Sequence, residues 1–208
     1  MISIMSEIIE VQAGKGKVFR IHKDVLEQSP FFKNVLKSEW ILNRNGKPIE
    51  FKDEDPDIFA AYVQWLYSHN IDNKHNTSKW ARMYVLGEML MDLDFQNAVL
   101  ATMMHQCDTQ KLFPGGHQVN IIYAGTTEMS PARRLLVDFF VWVGGETWVN
   151  GKDMDFVNKY PTEFVNDLII ALMDKRPPPP VNVRPWMRNP ASYFLRHTEK
   201  GAKPPASQ

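Results

Sequence analysis

Cysteine is nearly absent from this chain. Cys107 is its one thiol in 208 residues, so no intrachain disulfide can form, and such usage fits a reducing compartment. Long apolar runs are absent too. None approaches the ~20 residues that cross a bilayer. The start, Met1-Ile2-Ser3-Ile4-Met5-Ser6-Glu7, has no basic opening, apolar core or small-residue cleavage site, so it does not read as a secretory signal. Without such a signal, Asn76-Thr77-Ser78 reads as a polar turn rather than a glycosylation site. Phosphate loops are missing. Gly-Lys occurs at 16–17, 46–47 and 151–152, but no Gly stands five positions earlier and no Ser or Thr follows. Gly14 and Gly16 lack the third glycine of a dinucleotide fingerprint and read as a hairpin turn.

Net charge is also absent, with 24 basic and 24 acidic side chains. The balance is uneven along the chain. Residues 1–110 carry 12 basic and 15 acidic groups, residues 111–174 carry 5 and 8, and residues 175–208 carry 7 and 1. A body of −6 is thus followed by a tail of +6, and a pI near 7.0 describes neither. What is plentiful is core material: 44% hydrophobic and 12% aromatic residues favour a packed globule.

Ile8 and Val11, then Val18-Phe19-Arg20-Ile21, predict two short strands joined at Gly14-Lys15-Gly16. Val25 and Leu26 fit a first helix. Ser29-Pro30 starts a second, with Phe31, Phe32, Val35 and Leu36 on one face. Asn45-Gly46 is a turn, and Ile49-Glu50-Phe51 alternates as a strand. Asp55-Pro56 opens a helix with an apolar stripe of Phe59, Tyr62, Val63 and Leu66. Ser78 is the expected cap of a further helix burying Met83, Tyr84, Gly87 and Leu90, and Asp94 of the next, carrying Phe95, Ala98, Val99 and Met103. Gly115-Gly116 marks a break. Residues 117–174 then read as all-helical. Val119, Ile122 and Tyr123 suggest a short helix. Ser130-Pro131 begins one carrying Ala132, Leu135, Leu136, Phe139, Phe140 and Val143. A last helix from Pro161 is expected to bury Phe164, Leu168, Ile169 and Leu172. From Lys175 prolines interrupt every pattern, and residues 175–208 read as extended or disordered.

Phe19, His22, Lys23, Leu26, Ser29, Pro30, Phe31 and Phe32, followed by Phe59, Trp65, Leu66 and Tyr67, stand in the order of a BTB/POZ domain. The chain resembles the short version of that family common in filamentous fungi. Ile122-Tyr123 to Ser130-Pro131-Ala132-Arg133 resembles the helical extension of the fungal members more loosely. The resemblance implies an α+β body: a small sheet covered by helices over residues 7–110, an all-helical extension over 111–174 packed on it, and a Pro-rich basic tail over 175–208. It also implies self-association, including a homodimer, or capture of another protein. Members that form swapped dimers carry an added N-terminal segment, and only about six residues precede the hairpin here. Some members are adaptors on cullin-type ubiquitin ligases and show a large apolar residue, any residue, then Glu after the second helix. In Lys37-Ser38-Glu39-Trp40-Ile41-Leu42, Trp40 fits the apolar position and Leu42 replaces Glu. A Leu accepts no hydrogen bond, which counts against a cullin partner. Neither a zinc-finger array nor a β-rich repeat region follows, which excludes the transcription-factor and kelch-adaptor subtypes.

Site chemistry is sparse. His22 beside Lys23 and Asp24 has the makings of an oriented base, but no nucleophile or second acid accompanies it. It reads instead as a polar tie at a strand-to-helix corner. His105 and Cys107 are two apart on a helix and face different ways, and neither C-x-x-C nor H-E-x-x-H occurs. Asp53-Glu54-Asp55 with Asp57 lacks the calcium-loop pattern. In the tail, Trp186, Tyr193 and Phe194 among basic residues suit nucleic acid, yet no module positions the rings, and the reading favours a solvated tail. Pro177-Pro178-Pro179-Pro180 lacks the flanking base of an SH3 ligand and reads as a spacer. The expectation is a non-enzymatic, intracellular protein-binding module, cytoplasmic or nuclear. It has no catalytic, cofactor or metal residues and no membrane contact; the alternative readings are a substrate adaptor of a cullin-type ubiquitin ligase and a nucleic-acid-associated regulator acting through the basic tail. Trp40, Ile41 and Leu42, beside polar Asn43-Arg44-Asn45, are the candidate interaction residues.

Overall fold

The computed structural model describes residues 7–37, 47–72, 76–149, 159–176 and 188–193. Strands β1 (Ile8–Ala13) and β2 (Lys17–His22) form an antiparallel hairpin with Ile8 opposite His22 and Ala13 opposite Lys17. Gly14 turns it with φ +60°, a value that favours glycine. A side chain there would also meet Pro56, since a Cβ would lie 2.9 Å from its Cγ. Strand β3 (Ile49–Phe51) pairs in parallel with the other edge of β1, so the sheet order is β2-β1-β3. The alternating pattern buries Val11, Ala13 and Ile21 completely and leaves Ile8 and Val18 on the outer face.

Helices cover the inner face: α1 (Lys23–Leu26), α2 (Pro30–Lys37), α3 (Pro56–Ser68), α4 (Thr77–Met89) and α5 (Leu93–Gln110). Rings link helices to the sheet and to one another. Phe19 meets Phe59 at 5.1 Å, Phe32 meets Phe51 at 5.5 Å, and Tyr62 meets Phe95 at 4.8 Å. Each such pair adds about 0.5–1.5 kcal/mol to the burial of its area. The expected stripe of α3 is present with one change: Val63 is only partly buried.

Two helix starts differ from the sequence reading. Asn76, not Ser78, caps α4, its side chain accepting from Lys79 N–H at 2.9 Å. The Ser78 hydroxyl instead accepts from Gln118 Nε2 at 2.6 Å. Asp92, not Asp94, caps α5. One carboxylate oxygen accepts from Phe95 N–H at 3.0 Å and the other from the Tyr62 hydroxyl at 2.8 Å. The α4–α5 turn is short, and Met91 takes φ 54° to make it. Asp92 is therefore drawn inward, where both of its oxygens are used, and Asp94 is left in the first turn.

The second half adds α6 (Gly116–Gly125), α7 (Pro131–Trp142), α8 (Glu146–Val149) and α9 (Thr162–Lys175). Helix α4 is the wall they share with the first half. A Cβ at Gly87 would lie 2.7 Å from Gln96 Cγ on α5, and one at Gly125 would lie 2.5 Å from Val85 Cγ1 on α4. Both helices approach α4 more closely than any side chain at those positions would permit. Tyr84 of α4 also bonds Ser130, hydroxyl to hydroxyl, at 3.2 Å. Ser130 thus precedes α7 without capping it through its side chain. Arg133 is buried and caps the end of α6. Its Nη2 donates to Tyr123 O at 2.6 Å and to Thr126 O at 2.5 Å, and its guanidinium lies over the Tyr123 ring at 4.4 Å. Tyr123 in turn donates to Asp167 of α9 at 2.7 Å.

Three expected core residues are outside. Val143, Ile169 and Leu172 are each about half exposed. Helix α9 buries only Phe164 and Leu168, one turn apart, against a ring cluster, so its apolar sequence exceeds the surface it has to cover. Most of residues 175–208 lies outside the described residues. Within them, Pro190–Tyr193 forms one 3-10 turn closed by Ser192 on Asn189.

Gly125→Ala is expected to cost about 1–3 kcal/mol by overpacking, read as a lower urea midpoint. Val85→Ala in the same chain should recover much of that loss; equal stability of Gly125→Ala and wild type would refute the close-approach account. Because the two halves share α4, heating should give one transition for residues 7–107 and 117–174 together; two resolved transitions would separate them. Burial above all, with the Asp92 carboxylate adding, raises the Tyr62 phenol above its ordinary 10.0. Burial raises Tyr123 and Tyr160 as well. The unfolded chain therefore loses these protons first, so stability is full below about pH 10 and falls as pH rises past it. Urea midpoints taken from about pH 8 to about pH 11 should show the fall, and Tyr62→Phe should lessen its steepness.

Candidate protein-interaction surface

The corner after β2 is held by a residue 45 positions away. The His22 backbone N–H donates to the Tyr67 hydroxyl at 3.1 Å, and His22 Nδ1 lies 2.8 Å from the same oxygen. One hydroxyl thus accepts from the main chain and can donate its own proton to the ring. Lys23 N–H donates to Glu7 O at 2.8 Å, and the Lys23 ammonium pairs with the Glu7 carboxylate at 3.1 Å. This is the geometry of a tie between hairpin and α3. His22 faces a tyrosine rather than a nucleophile.

The other chemistry-bearing residues are scattered. Cys107 is buried, and burial pushes its thiol up to about 11, well away from a reactive thiolate. His105 is exposed on another face of α5. In the acidic cluster, Asp55 caps α3 and pairs with Arg82 at 3.1 Å, while Asp57 pairs with Lys17 at 3.4 Å. Glu54 is raised above its ordinary 4.5, mainly by burial. Among the described residues no three of His, Cys, Asp and Glu gather as metal ligands, and no helix is long and apolar enough to cross a membrane.

Trp40, Ile41 and Leu42 lie outside the described residues. Among the described residues of the first half, Tyr67 and Met104 are exposed singly, and other large apolar side chains reach solvent in two groups. On the outer face of the sheet, Ile8 and Val18 flank the Glu10–Arg20 ion pair, which spans 3.0 Å. At the α4–α5 turn, Met89, Met91 and Leu93 are exposed, Leu93 by 70%. The sequence analysis placed Leu90 on a buried face and Asp94 at the next cap, and passed over this turn's exposed residues between and beside them. Its signal was present: five consecutive positions, 89 to 93, of which four are large and apolar. Flexible methionines on an open turn suit contact with another surface.

The BTB/POZ domain family matches this chain over residues 8–107. The N-terminal half is a BTB/POZ domain. Its signature positions act structurally here: Leu26, Ser29, Phe32, Phe59, Trp65 and Leu66 are buried, while His22 and Tyr67 tie the corner. Helices α6 to α9 are its helical extension. A curated relative, the ankyrin repeat, bromo and BTB domain-containing protein of Dictyostelium discoideum, is 29% identical over 80 residues. That alignment covers 38% of this chain and 9% of the relative, so the chain spans a small part of that protein's length. BTB/POZ domains are protein-interaction and oligomerisation modules, in general without catalytic chemistry.

Tyr67→Phe removes the oxygen that His22 N–H and Nδ1 share. The expected cost is about 1–3 kcal/mol, measured by urea unfolding. A loss within about 0.3 kcal/mol would show that water replaces the hydroxyl and that the tie is dispensable.

Proposed function

We propose that this chain is a non-enzymatic interaction module that works inside the cell, in cytoplasm or nucleus, by self-association or by binding another protein. The observation that carries the reading is the BTB/POZ match over residues 8–107. The polar residues of its corner are engaged in structural bonds, and exposed apolar side chains are left as the reactive surface. The single buried thiol of Cys107 supports the intracellular assignment. The short fungal subtype is supported by Ile122-Tyr123 and Ser130-Pro131-Ala132-Arg133, which supply the joint between α6 and α7.

The partner surface is assigned to Trp40, Ile41 and Leu42, three large apolar residues beside a polar stretch. Leu42 at the position of a cullin-binding Glu argues for a partner other than a cullin. A Trp40→Ala, Leu42→Ala double variant of the full chain should keep its melting temperature. It should lose about 2 kcal/mol or more of affinity for proteins that copurify with wild type. Unfolding of the double variant would make the residues core and end the assignment. Leu42→Glu is expected to create cullin binding that wild type lacks; equal binding by both would restore the ligase-adaptor reading.

A further inference from the structure

The hairpin leaves one edge of the sheet open. Lys23 N–H donates to Glu7 O at 2.8 Å, so Glu7 and Lys23 form a hydrogen-bonded pair. Such pairs alternate along an antiparallel ladder. In the observed register Ile9 with Ile21, Val11 with Phe19 and Ala13 with Lys17 therefore exchange the bonds between β1 and β2. Val18, Arg20 and His22 turn their backbone N–H and C=O groups away from β1. The His22 N–H shows the direction, since it donates outward to the Tyr67 hydroxyl at 3.1 Å. Strand β2 is the outer strand of the order β2-β1-β3, and Val18 and Arg20 are exposed on it. Their outward backbone groups bond nothing among the described residues. Two residues of β2 thus present a free row of donors and acceptors, and Tyr67 closes that row at His22.

A free row of this kind accepts another strand. Its occupant has to pair with residues 18 and 20 and stop at His22. A second copy of β2, antiparallel about a two-fold axis at Phe19, does both. Val18 then faces Arg20 of the second copy, Arg20 faces the second copy's Val18, and up to about four backbone hydrogen bonds form. His22, whose N–H is taken, falls opposite Gly16 of the second copy, just before its β2 begins. Even a Cβ at Gly16 would meet nothing within 4 Å, so that turn has room to pass Tyr67. Charge agrees with this register. Each Arg20, ion-paired to its own Glu10 at 3.0 Å, lies beside a valine. With the axis at Arg20 instead, two guanidinium groups would oppose each other and Val18 would meet the blocked His22. We propose that two copies of this chain pair through β2, edge to edge, into one sheet continuous across both and centred on Phe19.

The pairing rests on the self-association arm of the proposed function and involves neither residues 40–42 nor any other protein. So narrow a contact makes a weak dimer. The test is sedimentation equilibrium of the full chain, with amide hydrogen exchange followed by NMR. Wild type should be monomeric at roughly 10 μM and mostly dimeric at roughly 1 mM. Exchange at the Val18 and Arg20 amides should slow about tenfold between those concentrations. Val18→Lys sets a second cation beside each opposing Arg20 and should weaken the dimer about tenfold, at an unchanged melting temperature in dilute solution. Val18→Glu sets a carboxylate there and should dimerise at least as tightly as wild type. A wild-type chain still monomeric at roughly 1 mM overturns the proposal. So does a dimer in which the Val18 and Arg20 amides exchange as fast as in the monomer, and so does equal dimerisation by Val18→Lys and Val18→Glu. A monomeric chain leaves the copurification test of residues 40–42 untouched, and loss of copurification leaves this pairing untouched.

Discussion

Two glycines let one helix hold the body together. Helix α4 lies against α3, α5 and α6, and two of those approaches leave no room for a Cβ. Gly87 gives Gln96 and Phe95 their place, and Gly125 gives Val85 its place. Gly87 is interior to α4, where a glycine costs about 1 kcal/mol against alanine, whereas Gly125 is the last residue of α6. Here the cost is offset by the packing that close approach permits. Because Gly125 belongs to the extension and Val85 to the BTB/POZ domain, the extension is fitted to the domain rather than appended to it. Gln118 on Ser78 and Tyr84 with Ser130 add hydrogen bonds along the same seam.

Buried polarity follows the same economy. Asp92 spends one carboxylate oxygen on the start of α5 and the other on Tyr62, and Arg133 spends its guanidinium on the end of α6 and the face of Tyr123. Each group is inside because it satisfies backbone atoms that a helix terminus leaves open. The ion pairs on the surface, such as Arg20 with Glu10, are exposed and contribute little by comparison. The fold thus uses its charges at helix ends, where a satisfied terminus holds neighbouring elements in register.

Among the described residues, the polar groups that sequence singled out are bound into structure: His22 on Tyr67, Asp55 on α3 and Arg82, Cys107 inside α5. Large apolar side chains also reach solvent, as at the α4–α5 turn, and rings line a small cavity in the extension. Surfaces of that kind bind other proteins by burying a few large side chains.

The sequence by itself determined the element order and much of the core. Strand alternation at Val11 and Ile21, the Ser29-Pro30 and Asp55-Pro56 starts, and the stripes of α3 and α4 are local signals, written within one or two turns. The signature residues from Phe19 to Tyr67 identified the domain because their joint spacing is specific, although only the fold shows that His22 and Tyr67 meet. Tertiary structure decided which of two polar residues caps a helix. Ser78 yielded to Asn76 and Asp94 to Asp92 because partners 40 and 30 residues away, Gln118 and Tyr62, claimed Ser78 and Asp92. It also decided exposure. Ile169 and Leu172 look like core in sequence, but hydrophobicity states only that a side chain gains by burial, and whether a neighbour arrives to bury it is settled by distant packing. The ring cavity was illegible for the same reason: Phe113, Phe140, Trp148 and Tyr160 come from separate segments, and no local pattern records that folding brings them to one corner.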